Sequence, residues 1–172
     1  MHLEGTHTLK ASREAVWKAL LDPIVLAKVT PGAKSLEPLG NDEYKAIFEV
    51  KMGPVKGDFK GTLAVVDKVA PESYKLKIKL NGKIGNVNAE GDLKLNSLSK
   101  NETEVRFSGD AKLSGTLART GQRVLSGVAN SMTGQFFSAI DEEVTGVESG
   151  STGRGSLWQI IKAFLAGLFG KK

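Results

Sequence analysis

Few residues of this chain could take part in metal or nucleophilic chemistry, and their spacing keeps them apart. The 172 residues include two histidines and no cysteine, which excludes thiol nucleophiles, disulfides and cysteine metal sites. His2 and His7 fall on opposite faces of a predicted first strand, so they cannot share a metal ion. His7 lies on the apolar face, which is more typical of a core histidine than of a catalyst.

Two tyrosines, Tyr44 and Tyr74, are the main polar members of an otherwise apolar strand face. General acid–base or nucleophilic catalysis needs a base held beside a partner group, and no such pair is evident in the sequence. The acidic run at residues 141–143 is typical of a solvated helix end. We therefore predict no catalytic residue and no metal site.

The elements that would position these side chains are predicted from hydrophobic periodicity. After the first strand, helical spacing predicts short helices over residues 12–22 and 24–29 and a long helix over residues 117–144. Between them, segments of alternating apolar and polar residues predict an antiparallel sheet with one buried face. The long helix is the one element able to cover that face. Its predicted apolar stripe consists of Leu117, Val124, Leu125, Val128, Met132, Phe136 and Ile140. The predicted class is α+β, a helix-grip fold in which a curved antiparallel sheet of about seven strands wraps around a long C-terminal helix.

Glycines recur on the predicted inner face, at Gly57, Gly61, Gly91, Gly109 and Gly115. They would curl the sheet and leave unfilled space beneath the helix, although bulges and tight packing are an alternative explanation. An apolar cavity with few polar groups suits a hydrophobic ligand. The residues predicted to line this ligand cavity are Tyr44, Phe48, Val50, Phe59, Leu63, Leu76, Ile78, Leu93, Phe107, Ala111, Leu125, Val128, Met132 and Phe136.

The net charge of +5 is concentrated in the last part of the chain. Residues 148–172 carry +3, whereas the first 147 residues carry +2. A basic tail on a near-neutral body favours an anionic membrane surface as partner. Lysines 75, 77 and 79 have few aromatic neighbours that could stack on bases, so no nucleic-acid partner is predicted.

The sequence divides into three predicted parts: a helix-grip ligand-binding domain at residues 1–146, a flexible Gly/Ser linker at 147–156, and an amphipathic membrane-anchor tail at 157–172. The apolar part of the tail would form a helix of about 20 Å, too short to cross about 30 Å of hydrocarbon. An interfacial helix is therefore expected, with packing on the domain or on a partner as the alternative. The predicted anchor residues are Leu157, Trp158, Ile160, Ile161, Phe164, Leu165, Leu168, Phe169, Lys171 and Lys172.

Three stretches of the sequence resemble the carbon monoxide dehydrogenase CoxG family, within the START-like or polyketide-cyclase-like (SRPBCC) superfamily. They are EAVWKALLDPIVLAKVTPGA (residues 14–33), GPVKGDFKGTL (53–63) and GDAKLSGTLARTGQRVL (109–125). With the spacing between them, the resemblance covers about residues 1–145. None of the three is a catalytic signature.

The resemblance implies a START-like helix-grip fold with a hydrophobic cavity. It also implies association with a molybdenum-containing CO dehydrogenase or a related molybdenum hydroxylase at the membrane. Members of the family look like quinone-binding proteins that pass electrons from such an enzyme to the respiratory chain. No covalently bound cofactor is expected, and a menaquinone-like quinone would be a reversible ligand.

The predicted function is that of a non-enzymatic, membrane-tethered carrier of a quinone or similar isoprenoid. It would link the molybdenum enzyme to the membrane respiratory chain. No signal peptide is evident, so the predicted location is peripheral, at the cytoplasmic face of the cell membrane. The alternative is a recruitment or assembly factor that anchors the hydroxylase through the basic outer face of the sheet or the loop near Pro31, without carrying a ligand. A cyclase-type enzyme is a third possibility and would need His7 and Tyr44 together in the cavity.

Overall fold

A computed structural model describes residues 1–145 of the chain. The predicted linker (147–156) and tail helix (157–172) lie outside the described residues. Within residues 1–145, seven strands form one antiparallel sheet in the order β1-β7-β6-β5-β4-β3-β2. The strands are β1 (His2–Leu9), β2 (Ala33–Gly40), β3 (Glu43–Met52), β4 (Val55–Val69), β5 (Ser73–Gly82), β6 (Gly85–Ser99) and β7 (Glu102–Leu113).

Four helices accompany the sheet in the described range: α1 (Arg13–Leu20), α2 (Pro23–Val29), α3 (Gly115–Arg119) and α4 (Gln122–Thr145). Ser12 caps α1, since its Oγ accepts a hydrogen bond from the Ala15 N–H at 3.2 Å. Asp22 caps α2 in the same way, accepting from the Ile24 N–H at 2.9 Å. The sheet and the C-terminal helix together confirm the predicted helix-grip fold.

The long helix predicted over residues 117–144 is in fact two helices. The chain turns at Gly121, whose φ of +108° lies in a region that side-chain-bearing residues rarely adopt. Leu117 therefore belongs to α3, and α4 begins at Gln122. Near the start of α4, Val124 is 39% exposed, although it was expected in the apolar stripe, whereas Phe137 is 5% exposed and joins the core.

The second strand, β2, was not predicted from periodicity. Residues 33–40 do not alternate cleanly, because two register irregularities interrupt the pairing of β2 with β3. The strand also contains Pro38, which is tolerated because β2 lies at the edge of the sheet. Leu36 on this strand nevertheless packs against the core.

The inner-face glycines permit close approach of neighbouring strands more than they create space. A Cβ on Gly61 would collide with the carbonyl oxygen of Lys79 on the neighbouring strand, so β4 and β5 approach too closely there for any side chain. Gly109 is opposite Gly91 in register, and a Cβ on Gly109 would lie 2.7 Å from the Glu90 carbonyl oxygen. Gly115 was predicted on the sheet face but instead begins α3, with a φ of +70°.

The two ends of the sheet carry opposite charge. The acidic end comprises the β2–β3, β4–β5 and β6–β7 turns, the start of α1 and the end of α4, and its acids outnumber its bases. The basic end comprises the β3–β4 and β5–β6 connections and α3, and it has no acid within residues 50–57, 80–89 and 111–123. The exposed cations of the basic end are Lys51, Lys56, Lys83, Lys112, Arg119 and Arg123.

The apolar core is divided in the same way. An acidic-end cluster contains Leu9, Ala11, Val16, Ala19, Leu20, Val29, Val65, Tyr74, Leu95, Val105, Phe137 and Ile140. A smaller basic-end cluster contains Ala46, Phe48, Val55, Phe59, Leu117 and Leu125. All of the large side chains that are fully buried lie in or beside the acidic-end cluster.

Candidate functional site

A cavity of about 500 Å³ lies beneath α4, bordered by inward-facing residues of all seven strands and by residues of both core clusters. This volume is in the range of pockets that bind small organic molecules. The strands contribute alternate residues because their side chains point to the two faces in turn. The helix contributes residues three to four apart, which share one of its faces.

The structure brings all fourteen of the predicted cavity residues together around this one space. β3 contributes Tyr44, Phe48 and Val50, and the next two strands contribute Phe59, Leu63, Leu76 and Ile78. The remaining residues are Leu93, Phe107 and Ala111 from the last two strands and Leu125, Val128, Met132 and Phe136 from α4. That this wall binds a ligand remains a prediction.

Further lining residues were not predicted. Val55, Leu80, Val87 and Leu113 continue the same alternation and could have been included on that signal. A second group comes from α2, the loop after it and β2, where no sequence pattern indicated the cavity. Its members are Leu26, Thr30, Pro31 and Leu36.

Two tyrosines supply phenolic hydroxyls to the wall, and both side chains are buried. Tyr44 donates a long hydrogen bond of 3.4 Å to the carbonyl oxygen of Leu21. Burial raises the pKa of Tyr44 above its ordinary value, with a smaller contribution from the carboxylate of Asp42. Burial also raises the pKa of Tyr74, strongly, and the neighbouring Tyr44 adds to the effect.

The threonine hydroxyls in the wall are already engaged within their own helices. Thr30 Oγ1 donates to the Leu26 carbonyl oxygen at 2.6 Å. Thr133 Oγ1 donates to the Ala129 carbonyl oxygen at 2.8 Å. Neither hydroxyl is therefore free to donate to a bound molecule without losing a bond.

The histidines are placed as predicted, on opposite faces of β1. His2 is exposed and lies 2.9 Å from Asp110 Oδ1 and 3.0 Å from Glu4 Oε1. His7 stacks on Phe137 with ring centroids 4.3 Å apart, and burial lowers its pKa. Tyr44 borders the cavity but His7 does not, so the part of the chain described does not form the His–Tyr pair that a cyclase-type enzyme would need.

No group of three or more potential metal ligands occurs among residues 1–145. None of the helices in that range combines the length and apolar character needed to cross a bilayer. The predicted anchor helix falls outside the described part of the chain.

The basic outer face of the sheet, a candidate docking surface, is partly neutralised. Lys75 Nζ lies 3.9 Å from carboxylate oxygens of both Glu90 and Asp92 on the next strand. Lys77 Nζ lies 3.8 Å from Glu90 Oε2. Because opposite charges alternate across these strands, the outer face offers an acidic partner less net attraction than the sequence alone indicated.

Comparison with known proteins provides a family match. The model of the carbon monoxide dehydrogenase CoxG family matches residues 5–145, which include all three stretches that carried the resemblance. No curated protein sequence matches the chain significantly.

Among solved structures, a conserved protein from Geobacillus kaustophilus is 36% identical, with a TM-score of 0.83 over 85% of this chain and 96% of its own. The ZhuI aromatase/cyclase from Streptomyces sp. R1128 is 15% identical, with a TM-score of 0.66 over 88% of this chain and 99% of its own. A START superfamily protein from Mycobacterium smegmatis is 14% identical, with a TM-score of 0.66 over 84% and 97% of the two chains. The last two likenesses show a shared fold.

Proposed function

The chain belongs to the carbon monoxide dehydrogenase CoxG family, and from this premise we propose that it is a non-enzymatic binding protein for a hydrophobic small molecule. Its partner would be a molybdenum-containing CO dehydrogenase or a related hydroxylase. The ligand would be a quinone of the menaquinone type, carried reversibly between that enzyme and the membrane respiratory chain.

The observation that carries this proposal is the cavity of about 500 Å³, whose wall consists mostly of aliphatic and aromatic side chains. An apolar space of this size beneath a helix is costly to maintain, because its lining forfeits packing contacts. A bound apolar molecule would restore those contacts and remove the lining from water. The cavity therefore favours a ligand that is mostly hydrocarbon, such as an isoprenoid.

A membrane partner is supported by two features of the chain. The amphipathic sequence of residues 157–172 has the composition of an interfacial helix with lysines at its end. The basic end of the sheet carries six exposed cations, and its segments 50–57, 80–89 and 111–123 contain no acid, although Lys51 also pairs with Glu49 at 3.3 Å. This excess of positive charge favours contact with anionic headgroups. Cavity-lining residues Val55, Val87 and Leu117 lie at that same end. We therefore propose a peripheral location at the cytoplasmic face of the membrane.

The proposal is tested by analysing small molecules that co-purify with the full chain. Protein isolated under native conditions from cells that make menaquinone should release a quinone on solvent extraction, detected by mass spectrometry at near-stoichiometric amounts. A matched variant, Ala111→Trp, places an indole in the cavity and should release far less, whereas Lys112→Trp on the outer face should match the wild type. Protein without quinone that also rejects added menaquinone would contradict the proposal.

Recruitment of the enzyme without a ligand is the competing function, and the same two variants separate it from the carrier function. Both functions require the enzyme to reach the membrane, but the carrier function also requires the cavity. Ala111→Trp should abolish electron transfer from the enzyme to membrane quinone while leaving membrane association of the enzyme intact. Full electron transfer in this variant would favour recruitment alone.

A further inference from the structure

Tyr74 differs from the other buried hydroxyl-bearing residues of the cavity wall. Its side chain is 6% exposed, and its ring is held edge-on to Trp17 with centroids 5.7 Å apart. The hydroxyls of Tyr44, Thr30 and Thr133 all donate to backbone carbonyl oxygens. Among the described residues, the hydroxyl of Tyr74 makes no hydrogen bond.

Tyr74 borders the cavity, and its oxygen is not fully enclosed by protein. Among the described residues, Arg13 Nε is the one side-chain nitrogen or oxygen that is fully enclosed by protein and has no hydrogen-bond partner. The Tyr74 oxygen also has no partner, but it is not fully enclosed, and the space that this residue borders is the cavity. A buried hydroxyl that lacks a partner destabilises the fold, and a ligand atom that accepts its hydrogen would relieve this cost.

We propose that the Tyr74 hydroxyl donates a hydrogen bond to a neutral acceptor oxygen of the bound molecule, a carbonyl of the kind a quinone carries. This inference rests on the proposed function and assigns the orientation of the ligand within it. The polar head lies at the acidic end, beside Tyr74, and the hydrocarbon tail extends toward the basic end.

The surroundings of Tyr74 select for a neutral acceptor. Tyr74 belongs to the acidic-end cluster, and the apolar side chains of Leu20 and Val65 in that cluster also border the cavity. No lysine or arginine among the described residues borders the cavity, and the ammonium group of Met1 belongs to its opposite end, where it donates to the Ala111 carbonyl oxygen at 2.8 Å. A fatty-acid carboxylate beside Tyr74 would therefore be desolvated without a cationic side chain next to it. Burial holds the pKa of Tyr74 far above its ordinary value, so the phenol remains protonated and able to donate.

At the opposite end of the cavity, the ammonium group of Met1 already donates to the Ala111 carbonyl oxygen at 2.8 Å, and the side chains that line the cavity there are apolar. Val55, Val87, Leu117 and Leu125 border the cavity at that end, and their side chains are aliphatic. A ligand with one polar end therefore gains a hydrogen bond in one orientation and loses it in the other. This asymmetry fixes the direction in which a long isoprenoid binds.

The experiment compares two probes on the full chain and on two matched variants. The probes are menaquinone with a four-isoprene tail and phytane, a branched hydrocarbon of similar tail length without oxygen. Tyr74→Phe should weaken menaquinone binding about threefold to tenfold, the range expected for one net hydrogen bond, and leave the affinity for phytane within about twofold. Tyr44→Phe removes a hydroxyl that already has a protein partner, so its loss for menaquinone should be smaller.

Infrared spectra of bound menaquinone report directly on a hydrogen bond to its carbonyl. If Tyr74 had only a structural role, Tyr74→Phe would leave the carbonyl stretch unchanged. The carbonyl stretch of the bound quinone should be shifted down in the wild type and in Tyr44→Phe, and it should return toward its unbonded frequency in Tyr74→Phe. An equal loss of affinity for both probes in Tyr74→Phe, or an unchanged carbonyl stretch, would overturn the assignment while leaving the proposed function intact. A wild-type protein that binds neither probe would refute the proposed function as well.

Discussion

The acidic and basic ends of the sheet are built differently, although the same seven strands run through both. At the acidic end, α1, α2 and the second half of α4 close over the sheet, and side chains such as Leu20 and Ile140 are almost fully buried. At the basic end the cluster is smaller, and no large side chain described in it is fully buried. The difference indicates that the acidic end stabilises the fold, while the basic end is the part free to adapt to a ligand or a surface.

The largest expected effect is a contrast in stability between two core truncations. Ile140→Ala, in the acidic-end cluster, should lower the free energy of unfolding by about 2–5 kcal/mol, because the closed packing around it leaves a new void. Leu125 borders existing cavity space, so Leu125→Ala should lower the free energy of unfolding by less than about 2 kcal/mol. Urea denaturation of both full-length variants measures the contrast, and equal losses would remove the distinction between the two ends.

A smaller effect concerns the buried polar contact at the acidic end. Thr103 Oγ1 donates to the Ala11 carbonyl oxygen at 2.8 Å and ties β7 to the segment before α1. Thr103→Val should cost about 1–3 kcal/mol, because the buried carbonyl loses its donor. Thr8→Val, at an exposed position of β1, should stay within about 0.5 kcal/mol in the same denaturation experiment. A neutral Thr103→Val would mean that the acidic end is less tightly closed than its burial indicates.

The smallest effect is a pH dependence at His7, whose ring stacks on Phe107 and Phe137. Because burial lowers its pKa in the folded state, the unfolded chain binds a proton first as the pH falls below the ordinary value of 6.5. Stability should therefore fall with acidification across that range. His7→Phe keeps the ring stack but should lose this part of the pH dependence in thermal unfolding.

Comparing the wild type with His7→Phe also controls for the titration of the second histidine, His2. His2 has a raised pKa, so its contribution to stability is present at low pH and is lost as the pH rises, the opposite direction. That contribution is common to the wild type and His7→Phe, so it cancels in their difference. Parallel pH profiles for the two proteins would contradict the assigned burial of His7.

The sequence predicted the sheet and most of the cavity because period-two alternation directly reports which side chains face inward. It failed where tertiary context decides. The turn at Gly121 divides the predicted C-terminal helix, so Leu117 belongs to α3 and Val124, close to the break, is exposed. Phe137 was missed because its burial depends on the ring stack with His7 and Phe107. β2 lacks alternation because bulges and Pro38 are compatible with an edge strand. The contribution of Leu26 and Pro31 depends on how α2 folds back over the sheet, and no local pattern encodes that packing.

The central claim is that the cavity binds a quinone-like ligand with its head at the acidic end, beside Tyr74, whose ring centroid lies 5.7 Å from that of Trp17. Trp17 is one of two tryptophans in the chain, so Trp158→Phe leaves it as the single tryptophan reporter. Titration of this variant with four-isoprene menaquinone should quench Trp17 fluorescence in a saturable manner, with one equivalent bound per chain. Phytane should compete with the quinone without quenching. A linear, non-saturating decrease that phytane does not affect would contradict the claim.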